Sequence, residues 1–203
     1  TFSEYIRHVL EDPTGHEFSM LVDSLSTNLT KFFREEQHFE YLRSQFLPRI
    51  LAAKQARQSL RIRGWSAGCS TGEEPYSIAI TLLEAVAGRG RWDVKLLATD
   101  VSTRVLERAK KGVYDKERVD PIPLPLRNKY LLHRKERGRD LYDVGDALRN
   151  VVLFRYLNLM EDWPVRGPLD FIFCRNVMIY FDKPTQGRLI NRYYDLLASG
   201  GVL

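Results

Sequence analysis

The chain has 203 residues, 44% hydrophobic and 28% charged, with 13 Gly, 9 Pro and only 2 Cys. Collagen-like, low-complexity and disulfide-stapled architectures are excluded, leaving one ordinary globular domain with a short appendage, able to bury roughly 70% of its unfolded surface. Lysine plus arginine number 31 against 26 acidic residues, a net +5 that favours acidic partners without naming one.

Residues 1–46 carry a helical pattern, interrupted by the turn signal Asp12-Pro13-Thr14-Gly15. Beyond Asn28-Leu29-Thr30, apolar residues such as Phe32, Phe33, Phe39 and Leu42 fall three and four apart. Residues 49–60 read as a further amphipathic helix or a basic linker. From Leu60 the pattern alternates through Ala67, meets a glycine-rich turn and continues as a helix over 75–86. A strand over 92–99, a helix over 101–111 and a strand over 169–174 follow. Strands alternating with helices of this length predict parallel βαβ units in an α/β, doubly wound open sheet. Between 130 and 157 three short β-type runs, 130–132, 140–144 and 151–156, predict a small antiparallel hairpin unit inserted into that sheet. The last residues, Gly200-Gly201-Val202-Leu203, read as a strand just beginning, and with the absent initial Met they suggest a piece trimmed at both ends.

The basic runs 54–63, 104–118 and 134–139 are expected to be solvated faces. No apolar run approaches the ~18 residues of a membrane span, and the N-terminus has no secretion pattern. Cys69 and Cys174 lie in apolar stretches without C-x-x-C spacing and read as buried structural thiols of a reducing compartment. A soluble, cytoplasmic protein with no membrane insertion is the expectation. His8, His16, His38 and His133 are scattered without ligand spacing, so no metal site is predicted.

The strongest chemical signal is Ala67-Gly68-Cys69-Ser70-Thr71-Gly72-Glu73-Glu74-Pro75, between a strand and a helix. Glycines such as Gly68 let backbone approach a ligand, and a helix N-terminus offers N–H donors. The spacing is neither G-x-G-x-x-G nor a phosphate loop, and Glu73 and Glu74 would repel a pyrophosphate. The plainer alternative is a βα turn whose acidic residues favour the helix terminus. Asp100 ends the next strand, where a carboxylate can accept both hydroxyls of a ribose. It could instead cap the following helix, a role Ser102 could share. A glycine turn plus a ribose carboxylate without a phosphate loop suits a cationic nucleoside such as S-adenosylmethionine.

Thr27-Asn28-Leu29-Thr30-Lys31-Phe32-Phe33-Arg34-Glu35, the run from Trp65 to Tyr76, Ala98-Thr99-Asp100, Leu157-Asn158-Leu159 and Phe173-Cys174-Arg175-Asn176-Val177-Met178-Ile179-Tyr180-Phe181 occur together and in order. In this the chain closely resembles the CheR family, bacterial methyltransferases acting on glutamates of chemotaxis receptors. The resemblance implies a Rossmann-like methyltransferase domain over 28–203, truncated at its C-terminus, with a β-subdomain at about 130–157 and the remnant of an N-terminal helical domain in 1–27. It implies cofactor contacts from Asn28, Thr30, Arg34, Glu74, Asp100, Asn158, Leu159, Arg175 and Asn176, beside the turn glycine Gly68. Asp100 would meet the ribose, and Asn158 and Leu159 would lie near the adenine. Arg34 and Tyr180 would orient the acceptor carboxylate as the catalytic pair. Phe32 and Phe33 are expected in a helix core.

The implied product is S-adenosylhomocysteine. The implied partners are the cytoplasmic domains of methyl-accepting chemoreceptors and a receptor C-terminal peptide added as a strand near 134–139. A monomer without a nucleic-acid partner is expected. Family members dock on receptors through a basic helix of the N-terminal domain, which residues 1–27 would lack, so substrate affinity rather than chemistry is in question. A methyltransferase for nucleic acid or a small molecule would share Gly68 and Asp100 but not the motifs around Arg34 and Tyr180. A non-catalytic S-adenosylmethionine sensor would share all the binding residues.

Overall fold

The computed structural model describes residues 1–13, 15, 17, 20, 21, 24 and 29–203. Helix α1 (Phe2–Glu11) starts at a capping box, with the Thr1 hydroxyl accepting from the Glu4 amide and the Glu4 carboxylate meeting the Thr1 amino group. Helix α2 (Glu36–Tyr41) continues through a π turn, Leu42–Phe46, into α3 (Leu47–Ala56). Next come β1 (Arg61–Ala67), α4 (Glu73–Val86), β2 (Asp93–Asp100), α5 (Thr103–Lys111) and β3 (Val113–Asp115). They are followed by α6 (Lys116–Val119), α7 (Leu124–Tyr130), β4 (Leu131–Glu136), β5 (Arg139–Val144) and α8 (Asp146–Arg149). The chain ends with β6 (Val152–Tyr156), β7 (Leu169–Phe173), a 3₁₀ turn (Met178–Tyr180), α9 (Lys183–Leu196) and β8 (Leu197–Val202).

The central sheet has five strands in the order β6-β2-β1-β7-β8, and every neighbouring pair is parallel. The chain steps outward from β1 to β2 and β6, then crosses back to β7 and β8 on the other side. The order reverses between β1 and β7, and in such sheets the crevice at the strands' carboxyl ends is where ligands bind. Alternation along β1 divides the core: Ile62 joins Leu96, Phe171 and the helical residues Leu51 and Ile80 on one face. Trp65 and Ala67 join Ile172, Leu189 and Tyr193 on the other. Both faces are covered, as a parallel sheet requires. The buried Trp65 indole N–H donates to the Thr99 hydroxyl at 2.9 Å, so this core position leaves no orphaned donor.

The doubly wound sheet is as expected, but the small sheet has different members. Val152–Tyr156 does not join the hairpin; it pairs with β2 from Leu96↔Val152 to Asp100↔Tyr156. Period-two alternation identifies a strand and not its partner, so either assignment satisfied the pattern. The third strand of the antiparallel sheet is β3, in the order β3-β5-β4. β4 and β5 meet at Arg137-Gly138, where both φ angles are positive, the geometry of a tight two-residue hairpin turn. Residues 134–136 and Arg139 are therefore strand and not loop.

Phe32 is fully buried and Phe33 half-buried, but neither is helical: Phe33 and Glu35 have φ of 53° and 58°, and α2 begins only at Glu36. The C-terminal strand runs from Leu197 and does not start at the terminal glycines. Among the described residues no helix is long and apolar enough to cross a membrane.

Candidate functional site

The glycine-rich turn is fastened to the end of β2. The amides of Gly68 and Cys69 both donate to the Thr99 carbonyl, at 2.8 and 2.9 Å, and the Ser70 amide donates to Asp100 Oδ2 at 2.8 Å. Gly68 has φ +84°, and a Cβ there would lie 2.2 Å from Val177 Cγ2. The room left by that missing side chain is thus filled by the loop after β7. Asp100 Oδ1 accepts from the Ser102 amide at 3.0 Å, while the cap of α5 is Ser102, whose hydroxyl accepts from the Val105 amide at 3.2 Å. Asp100 is therefore not that helix's cap but a carboxylate pinned at the strand end. The Leu157 amide donates to the Asp100 carbonyl at 3.1 Å, which brings the chain carrying Asn158 alongside.

On the other side of the switch point Arg175 follows β7, its side chain only 11% exposed. Its Nη1 donates to Glu74 Oε2 at 3.1 Å, and its Nη2 donates to the Arg34 carbonyl and lies 3.1 Å from Glu35 Oε2. The guanidinium also sits over the Phe39 ring, 5.6 Å from its centroid. Its Nε is buried without a hydrogen-bond partner. Glu74 is held in addition by the Ser66 hydroxyl at 2.8 Å. Burial pushes the Glu74 carboxyl up, against the opposing pull of Arg175 and Ser66. The hydrogen bond from Arg175 holds Glu35 below the usual carboxylate range. Asn176 Nδ2 reaches Glu35 Oε1 at 3.4 Å, and Arg34 Nη1 donates to the Leu29 carbonyl at 2.7 Å.

One network therefore joins Arg34, Glu74, Arg175 and Asn176, while Gly68 and Asp100 meet across the glycine turn. The other expected residues stand apart from it. Asn28 lies outside the described residues, and Thr30 is half-buried on the segment leading to Arg34. Asn158 makes a local turn, with Oδ1 accepting from the Met160 amide and Nδ2 donating to Glu161, both at 3.0 Å. The Leu159 side chain is buried in the Trp65 cluster, so it offers its backbone and not its side chain to anything outside. Tyr180 is 62% exposed on the 3₁₀ turn, and among the described residues no bond or ring contact joins it to Arg34.

Two acidic residues adjacent in sequence to expected ones are not themselves among the expected site residues. Glu35 shares Arg175 with Glu74, and the completely buried Glu73 pairs with Arg118 on α6. Their signal was adjacency to Arg34 and to Glu74; their partners are distant in sequence. Cys69 and Cys174 are free thiols. Burial pushes Cys69 far up and Cys174 up to about 11, so both stay neutral at pH 7, with Tyr193 Oη donating to Cys174 Sγ at 3.2 Å. Among the described residues no cluster of three or more His, Cys, Asp or Glu side chains could hold a metal ion.

A parallel doubly wound sheet, with a strand-end carboxylate facing a glycine turn that lacks a phosphate loop, is the arrangement of an S-adenosylmethionine-dependent methyltransferase. The family model described as the CheR methyltransferase, SAM binding domain, matches residues 28–203, and the chain belongs to that family. Chemotaxis protein methyltransferase 2 of Pseudomonas aeruginosa is 46% identical over 205 residues, covering all of this chain and 69% of that protein. The chemotaxis protein methyltransferase of Borreliella burgdorferi is 42% identical over 205 residues, with all of this chain and 71% of that one covered. That of Escherichia coli is 40% identical over 204 residues, with coverage of 100% and 68%. Among solved structures, the methyltransferase domain of a bacterial Hen1 protein has a TM-score of 0.41 at 14% identity, over 81% of this chain and 64% of that one, too remote a likeness to add to this.

The donor set fits the family's cofactor on one structural ground in particular. Buried polar groups in proteins are nearly always hydrogen-bonded, and Arg175 Nε is buried with no acceptor. A ligand bringing an acceptor to that place would complete it.

Proposed function

We propose that this protein transfers the methyl group of S-adenosylmethionine to glutamate side-chain carboxylates of bacterial chemoreceptors, giving glutamate methyl esters and S-adenosylhomocysteine. The observation that carries this is the Arg175 hub, which ties the segment bearing Arg34 to the glycine turn through Glu74. On this reading Arg34, whose side chain is about a third exposed, borders the cofactor crevice. When bound, S-adenosylmethionine supplies an electrophilic methyl group on a cationic sulfur.

A glutamate carboxylate has an ordinary pKa near 4.3 and is already an anion at neutral pH, so no general base is needed. One carboxylate oxygen forms the bond to the methyl carbon as the S–CH₃ bond breaks, and that electron pair returns to sulfur. What the protein contributes is alignment, exclusion of water and tolerance of charge. Asp100 takes the ribose hydroxyls. Arg175, Asn176 and Glu74 would contact the cofactor, with Gly68 allowing close approach at the turn. Thr30 would contact the cofactor from the segment before Arg34, and Asn158 with the Leu159 backbone would border the adenine; Asn28, expected among the contacts, lies outside the described residues. Arg34 and Tyr180 orient the incoming carboxylate by hydrogen bonds, and the exposure of Tyr180 suits a group that waits for a macromolecular substrate. Too tight an ion pair would stabilise the ground state instead, and single, partly solvated contacts avoid that.

Residues 1–27 belong, on this reading, to a preceding helical unit, and the protein works as a cytoplasmic monomer recruited to receptor arrays. The outer edge of β4 takes a receptor C-terminal peptide as an added strand. The test is incubation with methyl-labelled S-adenosylmethionine and receptor-containing membranes, followed by mild alkali. Label on the receptor that leaves as methanol is expected. Alkali-stable label would mean methylation at nitrogen or carbon and a different substrate. Tight cofactor binding without any transfer would favour a sensor or a missing partner.

A further inference from the structure

Glu73 and Glu74 are consecutive in the first turn of α4, so their side chains leave the helix about 100° apart. Glu74 turns to Arg175 and the cofactor crevice. Glu73, with no exposed surface at all, turns the other way and meets Arg118 Nη1. The Thr71 hydroxyl donates to Glu73 Oε2 at 2.6 Å, and Tyr114 Oη donates to the Thr71 carbonyl at 2.7 Å. Gly72, at φ +99°, leaves no room for a side chain: a Cβ there would lie 2.7 Å from Tyr114 Oη and 2.9 Å from Ala109 Cβ.

The contacts from outside the turn and its helix come from one stretch of chain. Tyr114 and Arg118 come from β3 and α6, and β3 is the strand that ties this segment to the small antiparallel sheet, with Tyr114 opposite Tyr142. Tyr114 also packs edge-on against Phe32 at 5.0 Å, two residues before Arg34. A buried ion pair is poor as a source of stability, because desolvation offsets most of its attraction. It does fix geometry, since a buried carboxylate without its partner is strongly unfavourable. The arginine is 40% exposed and enters from α6, the helix that follows β3, so the pair ties that segment to the start of α4.

We propose that Arg118 and Tyr114 are positioning residues for the cofactor turn. Acting through Glu73 and Thr71, they hold residues 68–72 so that the Ser70 amide and the Asp100 carboxylate stay in register for the nucleoside. The proposal rests on the reading of this turn as the S-adenosylmethionine site.

Calorimetric titration with S-adenosylhomocysteine tests it without needing a methyl acceptor. Arg118→Gln is expected to raise Kd about tenfold and Tyr114→Phe about threefold, with binding stoichiometry unchanged, as loss of a hydrogen bond expressed at the site would do. Arg118→Lys, which keeps the charge, should recover most of the affinity. A merely structural role would lower the competent fraction, and hence the stoichiometry, at unaltered Kd; that outcome overturns the proposal, as does an unchanged Kd at full stoichiometry. Should Arg118→Gln fail to fold, Tyr114→Phe decides, because it leaves the ion pair and the ring packing intact. Wild-type protein that does not bind S-adenosylhomocysteine would sink the cofactor reading of the turn itself, whereas tight wild-type binding with unaffected variants sinks only the positioning role.

Discussion

Asp100 accepts from two backbone amides, Ser70 in the turn and Ser102 beyond the strand, so its orientation is set before any ligand arrives. If it also receives the ribose, Asp100→Ala should weaken S-adenosylhomocysteine binding by roughly 10- to 100-fold, the range for losing hydrogen bonds to a charged group. Asp100→Asn, which keeps one acceptor oxygen, should lose less. Calorimetry that finds the alanine variant binding as tightly as wild type would refute the ribose assignment. Arg34 calls for a different measurement. Its Nη1 is held by the Leu29 carbonyl while about a third of the side chain stays open, so it can swing a donor toward an acceptor without unfolding anything. Arg34→Ala should lower kcat about 10²-fold, the scale of removing one donor aimed at the reacting groups. Near-normal methylation of receptor membranes would take Arg34 off the catalytic list.

At the scale of the element, Gly68 carries two separate constraints, a left-handed φ of +84° and the Val177 side chain in the space a Cβ would take. Gly68→Ala should cost roughly 1–2 kcal/mol for the backbone conformation alone, and more for the overlap with Val177. In a Val177→Ala background the overlap disappears and only the backbone part should remain, so the two substitutions should couple in a urea-melt double-mutant cycle. Strict additivity would mean that Val177 does not press on the turn in solution. Glycine at 68 was legible from the sequence as a sharp strand-to-helix turn, but Val177 as its neighbour was not, because more than a hundred residues separate them. The same limit explains β6. Its alternation announced a strand, yet nothing local told the hairpin from the central sheet. Phe32 and Phe33 illustrate the converse, where helical spacing continued across a segment whose positive φ angles no periodicity encodes. Glu73 was visible as one of two acids at a helix start, and the partner that gives it a different task from Glu74 came only with the fold.

Over the whole molecule, acidic pH should act on the network that joins 29–35 to the sheet. Glu35 is a carboxylate depressed by Arg175, so it binds its proton less readily in the folded state than in the unfolded state. A depressed acid contributes stability that is present above its unfolded value and is lost as pH falls through the folded one. Glu84, lowered by Lys129 and Tyr130, and Asp182, lowered by Thr185, act in the same sense elsewhere in the fold. Glu74 opposes them: burial raises its carboxyl, so protonation on the way down favours the folded state while removing one of Arg175's partners. The melting temperature should therefore be flat near neutrality and fall once the pH drops into the ordinary glutamate range, from which Glu35 is depressed. Glu35→Gln keeps the shape and a hydrogen-bond acceptor but cannot titrate. Its melting temperature should lie below wild type at pH 7 and converge on it under acid conditions, with thermal melts from pH 7 to pH 3 as the measurement. A gap between the two proteins that stays constant across that range would show that Glu35 contributes through packing alone, and that Arg175 holds Arg34's segment to the sheet without the help of its charge.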